Sequence, residues 1–312
     1  MTRKIFVFSI FVFLLSIASS VRPLEAKLLQ EEEKMKPEVI SLLGKKLYAM
    51  PATGEDLRKL HGDLEKAMIK LECDPENPEN IIMYGRCLAY LWRYHEAIDV
   101  YTRGIKIFPD HAMLYRHRGH RYISVRRFNK AVEDLTKASQ LNARDFDIWY
   151  HLGLAHYLRG EFEDALEAYR SCLQNAEDDD AKIAVSNWLY MTLRRLDKRE
   201  EAAAILEAIS EGMKVVENQS YFDLLLFYKG IKPEKEITEA AESSELNLAT
   251  VGYGIGCWYF TSNKKDKAVQ YFGKIVETRH WPAFGFIAAE AELARMKKLV
   301  EGQMERILRF LS

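Results

Sequence analysis

The stretch Tyr115 to Tyr122, reading YRHRGHRY, sets three arginines (Arg116, Arg118, Arg121) and two histidines (His117, His120) within eight residues. Imidazoles at helical spacing can ligate a metal, guanidiniums can hold an anion, and either can serve packing alone. For a metal, His117 and His120 stand three apart, and His151 repeats the place of His117 further along; six of the eight histidines fall between residues 95 and 156. No carboxylate or cysteine is at ligand spacing beside them, and HEAID at His95 lacks the second histidine of a zinc-binding helix, so no metal is expected. Nucleophile elbows, phosphate-binding glycine loops and C-x-x-C pairs are absent. SNKK at Ser262 to Lys265 matches S-x-x-K only formally, because it falls in a turn. The expectation is a protein without a cofactor and without catalysis, a histidine-based metal-dependent enzyme being an alternative.

The elements that carry the cluster follow from a repeat. Gly85, Gly119 and Gly153 are 34 residues apart, as are Ala97, Ala131 and Ala165, and as are Tyr94, Phe128 and Phe162. Tyr101, Leu135 and Tyr169 keep the same register, followed by Ile105, Ala138 and Cys172. The spacing predicts helical hairpins over 78–111, 112–145 and 146–179. The glycines mark where the two helices cross closely, the alanines supply a complementary shallow spot, and the aromatics close the turn end. Pro109 ends the first hairpin. After the acidic run AEDDDAK, read as a solvated linker, the period slips by three. A degenerate unit at 180–217 keeps Leu189, Leu193, Ala202, Leu206 and Ile209 but has Tyr190 at the glycine slot. An irregular hairpin spans 218–248, a further unit at 249–282 recovers Gly256, Ala268, Phe272 and Ile275, and helices over 283–312 are expected to cap the far end. Residues 27–77 form the amino-terminal cap and loop, helical over 55–73.

On a helix at roughly 100° per residue, Tyr115, Arg118, Gly119 and Tyr122 share the core side. Arg116 and His120 project opposite, while His117 and Arg121 lie along a flank, toward a neighbouring unit or solvent. Arg118 takes a slot filled by Tyr84 and Leu152 in adjacent units, and needs a partner because an unpaired buried charge is costly. Asp134, on the second helix of the same hairpin, is that partner.

Over roughly 78–282 these motifs resemble the tetratricopeptide (TPR) repeat family, and Arg118 before the repeat glycine, answered by Asp134 before Leu135, resembles a common variant of it. The resemblance implies an all-α, right-handed solenoid of helical hairpins with helical caps at both ends. Its first helices would line a concave face that holds protein or peptide partners. At the equivalent positions this chain has Arg86 and Tyr90, Arg116 and His120, Tyr150 and Tyr157, Asn187, Met191 and Arg194, then Tyr253 and Phe260. The groove would be aromatic and mildly basic, with arginines able to clamp carboxylates. WLY at Trp188 to Tyr190 and FYKG at Phe227 to Gly230 look like the bacterial NlpI-type TPR proteins of the cell envelope. That likeness implies a non-catalytic adaptor, often dimeric in the family, for envelope proteases and peptidoglycan hydrolases.

The chain has 312 residues and 45 basic against 46 acidic side chains, so no global charge points to nucleic acid or an anionic membrane. Arg3 and Lys4, then a charge-free apolar run from Ile5 to Ile17 and small residues, read as a secretory signal over 1–26, shorter than the roughly 20 apolar residues of a spanning helix. A periplasmic or secreted protein is expected, with the signal cleaved and no cysteine beside the cut to carry lipid. Cys73, Cys87, Cys172 and Cys257 leave disulfide pairing open, although Cys172 occupies a small-residue core slot. As an alternative to a monomeric adaptor, the amphipathic stretch Leu299 to Ser312 offers a homo-oligomer interface.

Overall fold

The computed structural model describes residues 36–49 and 53–311, with side chains through residue 302. The secretory signal lies outside the described residues, as do Ser312 and the side chains of the amphipathic tail beyond residue 302. A short antiparallel hairpin, β1 (Val39–Ile40) with β2 (Lys46–Leu47), pairs Val39 with Leu47 and precedes α1 (Gly54–Cys73). Three hairpins follow in the predicted register: α2 (Pro78–Tyr90) with α3 (Tyr94–Ile107), α4 (Ala112–Ser124) with α5 (Phe128–Leu141), and α6 (Phe146–Arg159) with α7 (Phe162–Gln174). Then come α8 (Asp179–Arg195) with the short α9 (Arg199–Glu207), α10 (Gln219–Tyr228) with α11 (Glu234–Ala241), and α12 (Glu245–Thr261) with α13 (Lys265–Val276). The long α14 (Phe284–Leu311) ends the described chain.

Capping chemistry starts many of these helices. Asn77 accepts from Glu79 N ahead of Pro78, Asp145 accepts from Ile148 N, Asp178 from Ala181 N and Ser244 from Asn247 N, each filling an orphan donor of a first turn. The glycine slot has a sharper meaning than a shallow spot facing alanine. A Cβ on Gly85 would lie 2.4 Å from the Tyr101 ring, on Gly119 2.7 Å from Leu135, on Gly153 2.7 Å from Tyr169 and on Gly256 2.5 Å from Phe272. Each glycine therefore receives the large side chain sixteen residues later, while Ala97, Ala131 and Ala165 are fully buried elsewhere in the hairpin. The degenerate unit manages with Tyr190 because that ring swings out to stack on Tyr228 of α10, centroids 4.4 Å apart.

The tight turn inside each hairpin places one residue in the left-handed region: Trp92, Arg126, Gly160, Asp197, Gly230 and Asn263. Two of these bulky residues have tertiary work. Trp92 packs edge-on against His280 and Trp281, and Arg126 donates to Glu290 Oε2 at 2.8 Å and to the Trp281 carbonyl at 3.0 Å. Arg126 and Glu290 side chains are 3% and 1% exposed, so neither is screened by water.

The solenoid therefore returns on itself. Instead of only covering the last repeat, α14 packs on α12 and α13 and reaches α6, where Arg295 Nη1 donates to the Leu158 carbonyl at 2.8 Å. Glu292, also buried, accepts from Arg195 and Arg295 at 2.7 Å each. The β-hairpin locks this closure: Leu42 N donates to Glu290 Oε1, Trp281 Nε1 to the Tyr48 carbonyl, and His95 N to Glu38 Oε1. Lys46 and Leu47, in the stretch read as amino-terminal cap and loop, thus form strand β2.

AEDDDAK is an anchor rather than a free linker. Asp178 caps α8, and Asp180 accepts from the backbone N–H groups of Val216, Glu217 and Asn218 and from Asn218 Nδ2 at 2.6 Å. Burial works to raise its carboxyl, but these donated bonds prevail and hold it below the ordinary value. All four cysteines are free; Cys87, Cys172 and Cys257 are buried and Cys73 is exposed.

Candidate functional site

Arg118 does the structural work assigned to it. Its Nε and Nη2 donate to both Asp134 oxygens at 2.7 Å and Nη1 to Thr102 Oγ1 at 3.1 Å. Burial pushes the Asp134 carboxyl up even against that pull, as expected of a pair sunk between two helices.

Arg86, Tyr90, Arg116 and His120 come together as one wall system. They line a cavity of about 370 Å³ between α2, α4 and α6, with His117, Arg121, Asp147 and His151 completing it and Tyr101 and Met113 supplying apolar floor. Tyr90 stands at the lip, 55% exposed, and its hydroxyl accepts from Arg86 Nη2 at 3.0 Å. Arg116 Nη2 pairs with Asp147 Oδ2 at 2.7 Å, while its buried Nε finds no acceptor in the protein. Arg121 has no carboxylate within ion-pair distance among the described residues and lies over the Tyr94 ring at 5.2 Å. Burial lowers its pKa, although a guanidinium keeps its charge at neutral pH.

Hydrogen bonds set the imidazole tautomers. Arg116 Nη1 can only donate, so His117 Nδ1 accepts it at 3.0 Å and the His117 proton is on Nε2. His151 Nδ1–H donates to the Asp147 carbonyl at 2.6 Å, which leaves Nε2 as its lone-pair nitrogen. His120 packs on His151 and Phe284, with centroids 4.2 and 5.3 Å away. Burial, then the neighbouring Arg116 and Arg121, push His117 down to about 2; burial and Arg116 push His151 down to about 3. His120 is likewise lowered, by burial first and Arg121 next. All three are neutral at pH 7, so the arginines alone carry the cavity's positive charge.

Most of the other groove positions are buried, and the half-buried Arg194 and Phe260 are engaged by neighbours. Tyr150 is 7% exposed and packs against Phe284 and Tyr221, while Tyr157, Asn187, Met191 and Tyr253 are buried. Tyr253 donates to the Tyr157 hydroxyl at 2.8 Å and stacks on Trp188. Arg194 is tied to the Tyr190 hydroxyl at 2.9 Å, and Phe260 receives the Arg195 guanidinium at 4.5 Å. The physical reason is that α12 and α14 lie where solvent was expected, and tyrosines tolerate burial when each hydroxyl finds a partner. Conversely, Arg121 and His117, placed along a flank, face the preceding unit: His117 stacks on Tyr101 with centroids 5.7 Å apart. The signal for them was present, since a crevice between two first helices must be walled by their flanks.

Carboxylates do approach one histidine, contrary to the spacing argument. Among the described residues His156, Glu161 and Asp164 bring donor atoms within 4.8 Å of one another. Glu161 there is taken by a hydrogen bond with His156 Nδ1 and an ion pair with Arg159 Nη2, both at 2.8 Å, which accounts for its place in the cluster.

Residues 116–180 match the tetratricopeptide repeat family model. The chain is 36% identical over 107 residues to the small glutamine-rich tetratricopeptide repeat-containing protein 2 of Saccharomyces cerevisiae, covering 34% of this chain and 31% of that protein. It is 28% identical over 152 residues to tetratricopeptide repeat protein 13 of Homo sapiens, covering 48% and 17%. The chain thus spans less than a third of either curated relative. Among solved structures, YrrB, described as a TPR protein with an unusual peptide-binding site, aligns at 16% identity and a TM-score of 0.43, covering 73% of this chain and 98% of that one.

Proposed function

We propose that this chain, whose repeats are similar to tetratricopeptide repeats, is a non-catalytic scaffold that holds a protein or peptide partner at the open part of its inner wall. One observation carries the reading: the arginine-rich cavity between α2, α4 and α6 is where the inner wall keeps an entrance, with the exposed Tyr90 ring at its lip. Aromatic lips and arginine forks are the groups that concentrate binding energy at protein interfaces. No described helix is long and apolar enough to cross a membrane.

The reading extends to an exported protein of the cell envelope serving proteases or peptidoglycan hydrolases. Its support is the signal-like start at Arg3 to Ile17 and the likeness of WLY and FYKG to NlpI-type proteins. A photo-crosslinker at Tyr90 in intact cells should capture a partner, and Arg86→Ala should reduce that capture about tenfold. Capture that is undiminished in Arg86→Ala and Arg116→Ala counts against the cavity as the seat. A homodimer through the end of α14 is a second reading, favoured by Leu299 and Val300, both exposed there. Light scattering of the full chain against one ending at residue 298 separates it from a monomer.

A further inference from the structure

We propose that the cavity between α2, α4 and α6 is a binding site for a dianionic phosphoryl group, either free phosphate or a phosphomonoester carried by a peptide. The inference rests on the reading above that this cavity is where an occupant seats, and it names the chemistry of that occupant.

Charge is the first support. Three guanidiniums, Arg86, Arg116 and Arg121, line the cavity, and Asp147 is the one carboxylate that does so. Asp147 is spent on Arg116, so a surplus of two positive charges is left unanswered. Arg86 stands exposed at the entrance, whereas Arg121 lies over Tyr94 and loses solvation with no carboxylate in reach among the described residues to replace it, so an anion entering beside it restores what burial removes. A phosphomonoester carries between one and a half and two negative charges near neutral pH, which matches the surplus; a single carboxylate supplies half of it.

Donor geometry is the second support. Arg86 comes from α2 and the two other arginines from α4, so donors approach from more than one direction, as a tetrahedral group with three free oxygens requires. Arg86 is held by Tyr90, and Arg121 lies over the face of the Tyr94 ring; both guanidiniums therefore keep donors to spare. His117, with its proton on Nε2, adds a neutral donor. The volume of about 370 Å³ is roughly ten times that of a water molecule, enough for the oxyanion and the first atoms of the chain bearing it.

The test uses the intact chain in low-salt buffer free of phosphate. Calorimetric titration with inorganic phosphate should show saturable binding, and Arg121→Gln should weaken it about tenfold or more. Arg86→Gln, a half-exposed position whose one side-chain partner is Tyr90, provides a variant expected to melt like the parent and to lose affinity similarly. A phosphoserine peptide that binds more tightly than inorganic phosphate identifies the carried group as the ligand; equal affinity identifies the free ion. The proposal is overturned if neither probe binds saturably, if Arg86→Gln and Arg121→Gln bind as the parent does, or if an unphosphorylated peptide ending in two carboxylates binds as well as the phosphopeptide. Crosslinking from Tyr90 keeps the two readings apart. Partner capture without phosphate binding removes this inference alone, whereas phosphate binding without any partner removes the scaffold and leaves the anion site.

Discussion

Two stretches of the same inner wall begin from equivalent repeat positions and end in opposite environments. In the first two hairpins, Arg86, Tyr90, Arg116 and His120 face a cavity with an entrance. From the third hairpin on, Tyr150, Tyr157, Asn187 and Tyr253 are core, roofed by Phe284, Tyr221 and one another. A repeat position is thus not a ligand position by virtue of its register; a third layer of helices decides. Side-chain chemistry agrees with the division, since tyrosines accept burial once their hydroxyls are paired and a group of arginines does not.

The comparison breaks most severely if the roof is cut. Glu290→Ala leaves Arg126 charged, buried and unpaired, and should cost about 3–5 kcal/mol in urea unfolding. A loss near zero would mean that α14 is not an integral part of the inner wall. Tyr150→Ala, at a repeat position equivalent to Arg116, should cost about 3 kcal/mol because removing a buried aromatic leaves a cavity. Gly285→Ala tests the roof's seating: the added Cβ would lie 2.2 Å from the Ala249 carbonyl oxygen, a backbone atom that cannot swing aside. The expected loss is about 1–3 kcal/mol, with the thermal midpoint lowered accordingly.

Acid should probe the open half. The folded pKa values of His117 and His151, about 2 and 3, lie below the ordinary 6.5, so the unfolded chain binds more protons in between. Stability is therefore complete above pH 6.5 and falls as pH drops toward 3, by about 1 kcal/mol per pH unit for each imidazole. Unfolding curves at pH 7, 6 and 5 measure the slope, and His117→Gln should flatten it. The smallest effect belongs to Tyr90→Ala. At the exposed lip it should change stability by less than about 0.5 kcal/mol, in contrast to Tyr150→Ala one wall further on.

Much of the fold is legible along the chain because each hairpin is closed by neighbours in sequence. Gly85 meets Tyr101 and Gly153 meets Tyr169 across one turn, so a 34-residue period records the contact directly. Arg118 with Asp134 belongs to the same class, a charge in a core slot answered sixteen residues later. Half of the candidate site was readable too, since helix geometry turns Arg116 and His120 away from the core and the repeat resemblance places Arg86 and Tyr90 at the equivalent positions. Arg121 and His117 needed the neighbouring unit, whose crossing determines whether a flank looks into a crevice or out to water.

What the sequence determined by itself is the succession of hairpins, their register and the pairing within each, because those interactions recur at short separations and leave a periodic trace. Tertiary structure alone decided which part of the inner wall remains accessible. Arg126 and Glu290 stand 164 residues apart, and Leu42 and Glu290 248 apart. Contacts made once at such distances repeat nowhere in the chain, so only the tertiary structure reveals that the last helix packs on α12, α13 and α6, with Phe284 against Tyr150, while the arginine cavity keeps an entrance.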